Sequence, residues 1–134
     1  MLQIRMLSVV LCVSIASSLS VAPAQEKTMS FVGKRVSLRY ESGFEVVADY
    51  KSSTEMTWEA LTGPSKETKG TETIFAAEVA PNVFFISWLE KDKGVSVSTV
   101  LDLKNLRVTG FVTLDSPQGR QSFFDKGTVT ELRR

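Results

Sequence analysis

Glu90 is the side chain with the most chemical content in this sequence. It ends the most apolar stretch, Val83-Phe84-Phe85-Ile86-Ser87-Trp88-Leu89-Glu90, and shares the alternation parity of Ile86 and Trp88. A carboxyl carried inward on such a strand can act as an acid, a base or a hydrogen-bond acceptor. Tyr40 closes a second alternating run, Val36 to Tyr40, and offers a phenol donor. The plainer readings are a rim carboxylate solvated beside Lys91 or Lys93, and a rim tyrosine that seals the interior. Lys66 and Lys69, in the loop Gly63 to Gly70, could attract an anionic ligand, although loop lysines are more often simply solvated.

Composition closes other routes. The 134 residues include no His, which excludes a Ser-His-Asp triad, an imidazole proton shuttle and a His-ligated metal. The one Cys, Cys12, lies in an N-terminal stretch that reads as an export signal. Arg5 supplies its positive start, Met6 to Val21 are apolar or small, and Ala22-Pro23-Ala24 forms an A-x-A cleavage site before Gln25. The apolar run is shorter than the about 20 residues of a membrane-spanning helix. Residues 1–24 are therefore expected to be removed, leaving 25–134 as one exported domain, periplasmic or secreted, with no membrane span after cleavage.

Those 110 residues would carry fifteen basic and fifteen acidic side chains, hence no net charge, and no thiol. Without disulfides the domain must rest on its own core, and about 110 residues suffice for one. Zero net charge, with no basic run longer than Lys34-Arg35, argues against a nucleic-acid partner. No metal and no cofactor are expected.

The elements that must position Tyr40 and Glu90 follow a period of two, with turn residues every 8–12 positions or so, the rhythm of an antiparallel all-β domain. Runs at 36–40, 44–51, 55–60, 71–79, 83–90, 95–103, 106–114 and 123–132 make about eight strands, and 26–33 could be a short helix or plug. An up-and-down β-barrel removes the exposed edges that an open sheet would keep; a sandwich is the runner-up. If strand direction alternates, Tyr40, Thr62, Glu90 and Leu114 end at one rim. The longer connections, at 41–43, 63–70, 91–94 and 115–119, fall there too, so the mouth is expected at that end.

Parity then names an aromatic-rich lining: Leu38, Tyr40, Phe44, Val46 and Tyr50 from the first two strands, Met56 and Trp58 from the third, and Phe84, Ile86 and Trp88 from the fifth. Buried indole and phenol groups need polar partners, which favours a pocket for a small apolar or aromatic ligand over a solid core. The alternative is a filled barrel whose outer face, including Phe85 and Leu89, mediates homodimerisation or partner binding.

The segments Tyr40-Glu41-Ser42-Gly43-Phe44, Ile86-Ser87-Trp88-Leu89-Glu90, Asp102 with Val108-Thr109-Gly110, and Phe124-Asp125-Lys126-Gly127-Thr128 together resemble MoaF-like domains, which are lipocalin-like barrels of the calycin type. More distantly they resemble bacterial phenolic acid decarboxylases. That pattern has a Tyr-x-Tyr pair, an arginine on the loop after the third strand, and a glutamate in Trp-x-Glu. Here Tyr40 and Glu90 match, whereas Leu38 stands at the first tyrosine and Lys66 and Lys69 at the arginine loop. The resemblance implies a small-molecule-binding barrel or, as the alternative, a cofactor-free lyase or isomerase with Glu90 as acid/base and Tyr40 as donor.

Overall fold

A computed structural model describes residues 28–134; the expected export signal and Cys12 lie outside the described residues. Nine antiparallel strands follow the alternating runs: β1 Arg35–Tyr40, β2 Glu45–Tyr50, β3 Glu55–Ala60, β4 Lys69–Thr73, β5 Phe75–Ala80, β6 Val83–Glu90, β7 Val95–Asp102, β8 Arg107–Ser116 and β9 Gly119–Leu132. They form one sheet in the order β4-β3-β2-β1-β9-β8-β7-β6-β5. Pairing of β1 with β9, Arg35 opposite Leu132 through Tyr40 opposite Gly127, joins the two ends of the chain. The remaining edges, β4 and β5, are consecutive in sequence, so one run of chain spans both and nearly closes the barrel.

That run differs from the sequence expectation. The single strand predicted over 71–79 is two strands broken at Ile74, whose N–H makes the last bond on the β3 side, donating to the Thr54 carbonyl at 2.9 Å. The first half pairs with β3 and the second with β6, so the bend is where the chain transfers from one sheet edge to the other. Ile74 points inward and is 1% exposed. Ile74→Ala should therefore lower stability by about 2 kcal/mol in a urea titration, whereas an unchanged midpoint would mean that the corner is not packed.

A second difference lies at the β8–β9 connection, expected as a loop over 115–119. The ladder instead continues through Asp115 opposite Arg120 to Ser116 opposite Gly119, leaving a two-residue turn at Pro117 and Gln118. Hydroxyl bonds stabilise it, since Ser116 donates to the Gly119 carbonyl at 2.8 Å.

The interior is packed at one end only. Leu38, Tyr50, Met56, Phe84, Ile86, Leu101, Val108 and Val129 form the core. Phe31, from the turn that precedes β1, fills its base at 0% exposure, with its ring 5.0 Å edge-on from both Tyr50 and Phe84. The segment read as a helix or plug is thus a plug over its described part. The tight turns between β2 and β3, β5 and β6, and β7 and β8 lie at this closed end. Among the described residues no helix is long and apolar enough to cross a membrane.

Candidate functional site

The opposite end holds a cavity of about 580 Å³. Alternation along β1, β2, β3 and β6 brings Leu38, Tyr40, Tyr50, Trp58, Trp88 and Glu90 to its wall, together with Phe44, Val46 and Met56. Phe84 and Ile86 share that inward parity but lie deeper, at 0% exposure, in the packed base beneath the cavity. Neither Lys66 nor Lys69 lines it. Lys69 faces an outer groove and pairs with Glu59 at 3.4 Å, while Lys66 is exposed and its loop presents Pro64 and Ser65 to the mouth instead. Thr62 ties that loop to the β1–β2 turn, donating to the Gly43 carbonyl and accepting from Glu45 N–H, both at 2.8 Å. Gly43 adopts φ 90° there, a conformation that glycine reaches without strain.

Glu90 sits on a short chain of polar contacts across the rim. Its Oε1 accepts a long bond from Trp88 Nε1 at 3.4 Å, and Oε2 lies 3.7 Å from Lys93 Nζ. The single 3-10 turn Lys91–Lys93 carries that ammonium, and Gly94 ends the turn in the left-handed conformation. Lys93 Nζ also stands 4.8 Å from the centroid of the Trp58 ring, a cation–π distance. Trp58 Nε1 in turn donates to Glu72 Oε1 at 3.0 Å. The indole lies against Gly70, where an added Cβ would fall 2.5 Å from Nε1; any larger residue at position 70 would displace Trp58. The β6–β7 turn is thereby strapped to β3 and β4 over the mouth.

The two tyrosines occupy different depths. Tyr40 reaches in from the rim, stacked on Phe44 at 6.2 Å, with its ring over Gly110, where a Cβ would meet Cε1 at 3.4 Å. Tyr50 rises from the base, 1% exposed. Burial raises both phenols well above their ordinary 10.0; the Asp125 carboxylate adds to the rise at Tyr40, and Tyr40 adds to it at Tyr50. Neither hydroxyl has a protein hydrogen-bond partner among the described residues. Among the described residues no fully buried polar side-chain atom lacks a partner, and both tyrosines line the cavity, so both hydroxyls are reached from it.

A pH dependence follows. Neutral phenols are favoured in the fold, so this contribution is complete below the unfolded tyrosine value of about 10 and is lost as pH rises beyond it. The chain contains only two tyrosines, so tyrosinate absorbance reports both. It should appear only together with loss of the β-sheet circular dichroism signal. A titration centred near 10 with the fold intact would contradict the burial.

Asp125 and Glu72 are inward carboxylates that sequence reasoning missed. Asp125 pairs across the ladder with Gly110, lines the cavity, and accepts from the Ser42 hydroxyl. Each had a parity signal, Asp125 through Phe123 and Glu72 through Ile74, two residues away on the same face.

Among solved structures the chain is similar to a crystal structure from Burkholderia vietnamiensis provisionally named a beta-lactamase. The TM-score is 0.67 at 20% identity, covering 79% of this chain and 99% of that one, a likeness that speaks for the fold alone. No curated protein matches the chain closely enough to count as a relative. The MoaF-like family model matches residues 32–130, from the plug before β1 nearly to the end of β9, and the chain belongs to that family.

Proposed function

We propose that this chain is an exported binding protein whose open half-barrel takes up a small, flat, aromatic or largely apolar molecule, with Trp58, Trp88 and Tyr50 as walls and Tyr40 and Glu90 as polar fixtures. The observation that carries this reading is the pair of buried phenols, without protein partners, facing an aromatic cavity. Its volume of about 580 Å³ falls within the roughly 300–1,000 Å³ usual for ligand pockets. A hydroxyl turned towards such a space is most stable when a bound group accepts its proton.

Both tryptophans of the chain line the cavity, so intrinsic emission is a direct readout. A panel of phenolic and apolar compounds should contain members that shift it saturably. For such a ligand Tyr40→Phe should weaken binding by roughly fivefold, one neutral hydrogen bond, with little loss of stability. A flat response across a broad panel would count against a binding role. Fractionation of expressing cells, with the mature N-terminus read at Gln25, tests export; full-length protein retained in the cytoplasm would remove it.

The lyase alternative needs a proton to pass through Glu90. That carboxylate is engaged by Lys93 and the Trp88 indole, which supports a positioning role at the rim. Glu90→Gln should abolish turnover of any substrate found if the alternative holds, and retained turnover would exclude Glu90 from the chemistry. Self-association is a separate proposal, supported by Phe85 and Leu89, which are exposed on the outer face. Leu89→Lys should then yield a monomer by light scattering, and a mass unchanged by the substitution would exclude that face.

A further inference from the structure

Building on that reading, we propose that the cavity selects protonated aromatic amines, and uncharged aromatic molecules after them, over aromatic carboxylates. The argument rests on which charges face the cavity and which of them are engaged. Besides the tyrosines, three acidic or basic side chains among the described residues line it: Glu90, Lys93 and Asp125. Lys93 is the one cation. It is held between the Glu90 carboxylate at 3.7 Å and the face of Trp58 at 4.8 Å, so its charge is largely balanced before any ligand arrives. Lys66 and Lys69 do not reach the cavity.

Asp125 is left without a counter-charge. Its contacts are the Ser42 hydroxyl at Oδ2 and the Lys126 backbone N–H at Oδ1, and among the described residues no ion pair holds it. Half-buried beside Tyr40, it is close enough to disfavour ionisation of that phenol. A carboxylate ligand placed against Tyr40 would meet the same repulsion in a low-dielectric site. An ammonium there would instead pair with Asp125 while its ring lies against the tryptophans. Gly110 makes the approach possible, since it leaves Tyr40 and Asp125 adjacent with no intervening side chain.

The buried phenols accommodate either kind of favoured ligand. Both remain neutral donors, so a carbonyl, ether or amide oxygen at the inner end suits them without bringing in a charge.

Matched probes separate the possibilities. Cinnamylamine, cinnamamide and cinnamate share one skeleton and are cationic, neutral and anionic near neutral pH. Isothermal calorimetry on the purified protein should rank them in that order, with the amine ahead of the carboxylate by on the order of tenfold or more. Asp125→Asn should bring the amine to within about twofold of the amide, with an unaltered β-sheet circular dichroism signal showing that the variant is folded. Cinnamate binding as tightly as cinnamamide, or an advantage for the amine that survives in Asp125→Asn, would overturn the charge selection while leaving the cavity as a binding site. Tryptophan emission unmoved by these three and by the wider panel would remove the binding reading itself.

Discussion

Gly127→Ala should lower the stability of this barrel by about 3 kcal/mol and its Tm by on the order of 10 °C. Gly127 lies opposite Tyr40 where β9 meets β1. A Cβ there would fall 2.2 Å from the Arg39 carbonyl oxygen and 2.9 Å from the Tyr40 Cα. Both are backbone atoms and cannot rotate away, so the methyl fits only if the strands part. They part at the seam that joins the first strand to the last, next to the bond from Glu41 N–H to the Lys126 carbonyl at 2.7 Å. Gly110→Ala is the control. The atoms nearest its methyl would all belong to the Tyr40 side chain, at ordinary contact distance, so it should cost little. Equal midpoints for Gly127→Ala and the unaltered protein in thermal denaturation would show that the seam is looser than described.

Phe31→Ala should cost about 4 kcal/mol, the largest effect expected of any single truncation in the core. The ring is fully enclosed and meets Tyr50 and Phe84 edge-on, so its removal leaves a hole that neither neighbour can fill by a rotamer change. The base of the ligand cavity rests on that contact through Tyr50. The variant should therefore unfold at lower urea and, where still folded, expose Tyr50 to ionisation at lower pH. A loss below about 1 kcal/mol would mean that the turn before β1 does not plug the barrel.

Much of this architecture was legible because period-two alternation is enforced by burial of one face. Val36, Leu38 and Tyr40, or Ile86 and Trp88, cannot be moved by one residue without exposing the whole set. The corner at Ile74 was not legible. Its apolar side chain continues the alternation, and the break is a change of partner strand, from β3 before it to β6 after it. The plug over 26–33 was one of two readings, but Phe31 as the ring that fills the base was not legible, because it precedes the first strand and has no periodic neighbours. Its burial is a tertiary event, recorded only in the spatial closeness of Tyr50 and Phe84.

The candidate site divides in the same way. Tyr40, Tyr50, Trp58, Trp88 and Glu90 follow from parity, and the structure brings them to one cavity. Phe84 and Ile86 have the same parity but sit below it, because parity gives the face and not the depth. Lys66 and Lys69 were chosen for charge on a loop, where side-chain direction is set by local contacts such as the Glu59 ion pair. Asp125 and Glu72 lie on strands rich in polar residues, and their inward direction shows only when alternation is counted back from an apolar neighbour.

The most direct test of the central claim uses the scarcity of tyrosine. Protein labelled with carbon-13 in its tyrosine rings gives signals from Tyr40 and Tyr50 alone, one near the rim and one at the base of the same cavity. Titration with a compound that shifts tryptophan emission should move both sets of signals with one shared dissociation constant. A ligand that saturates the fluorescence change while leaving both tyrosines unmoved would place binding elsewhere on the molecule and contradict the account.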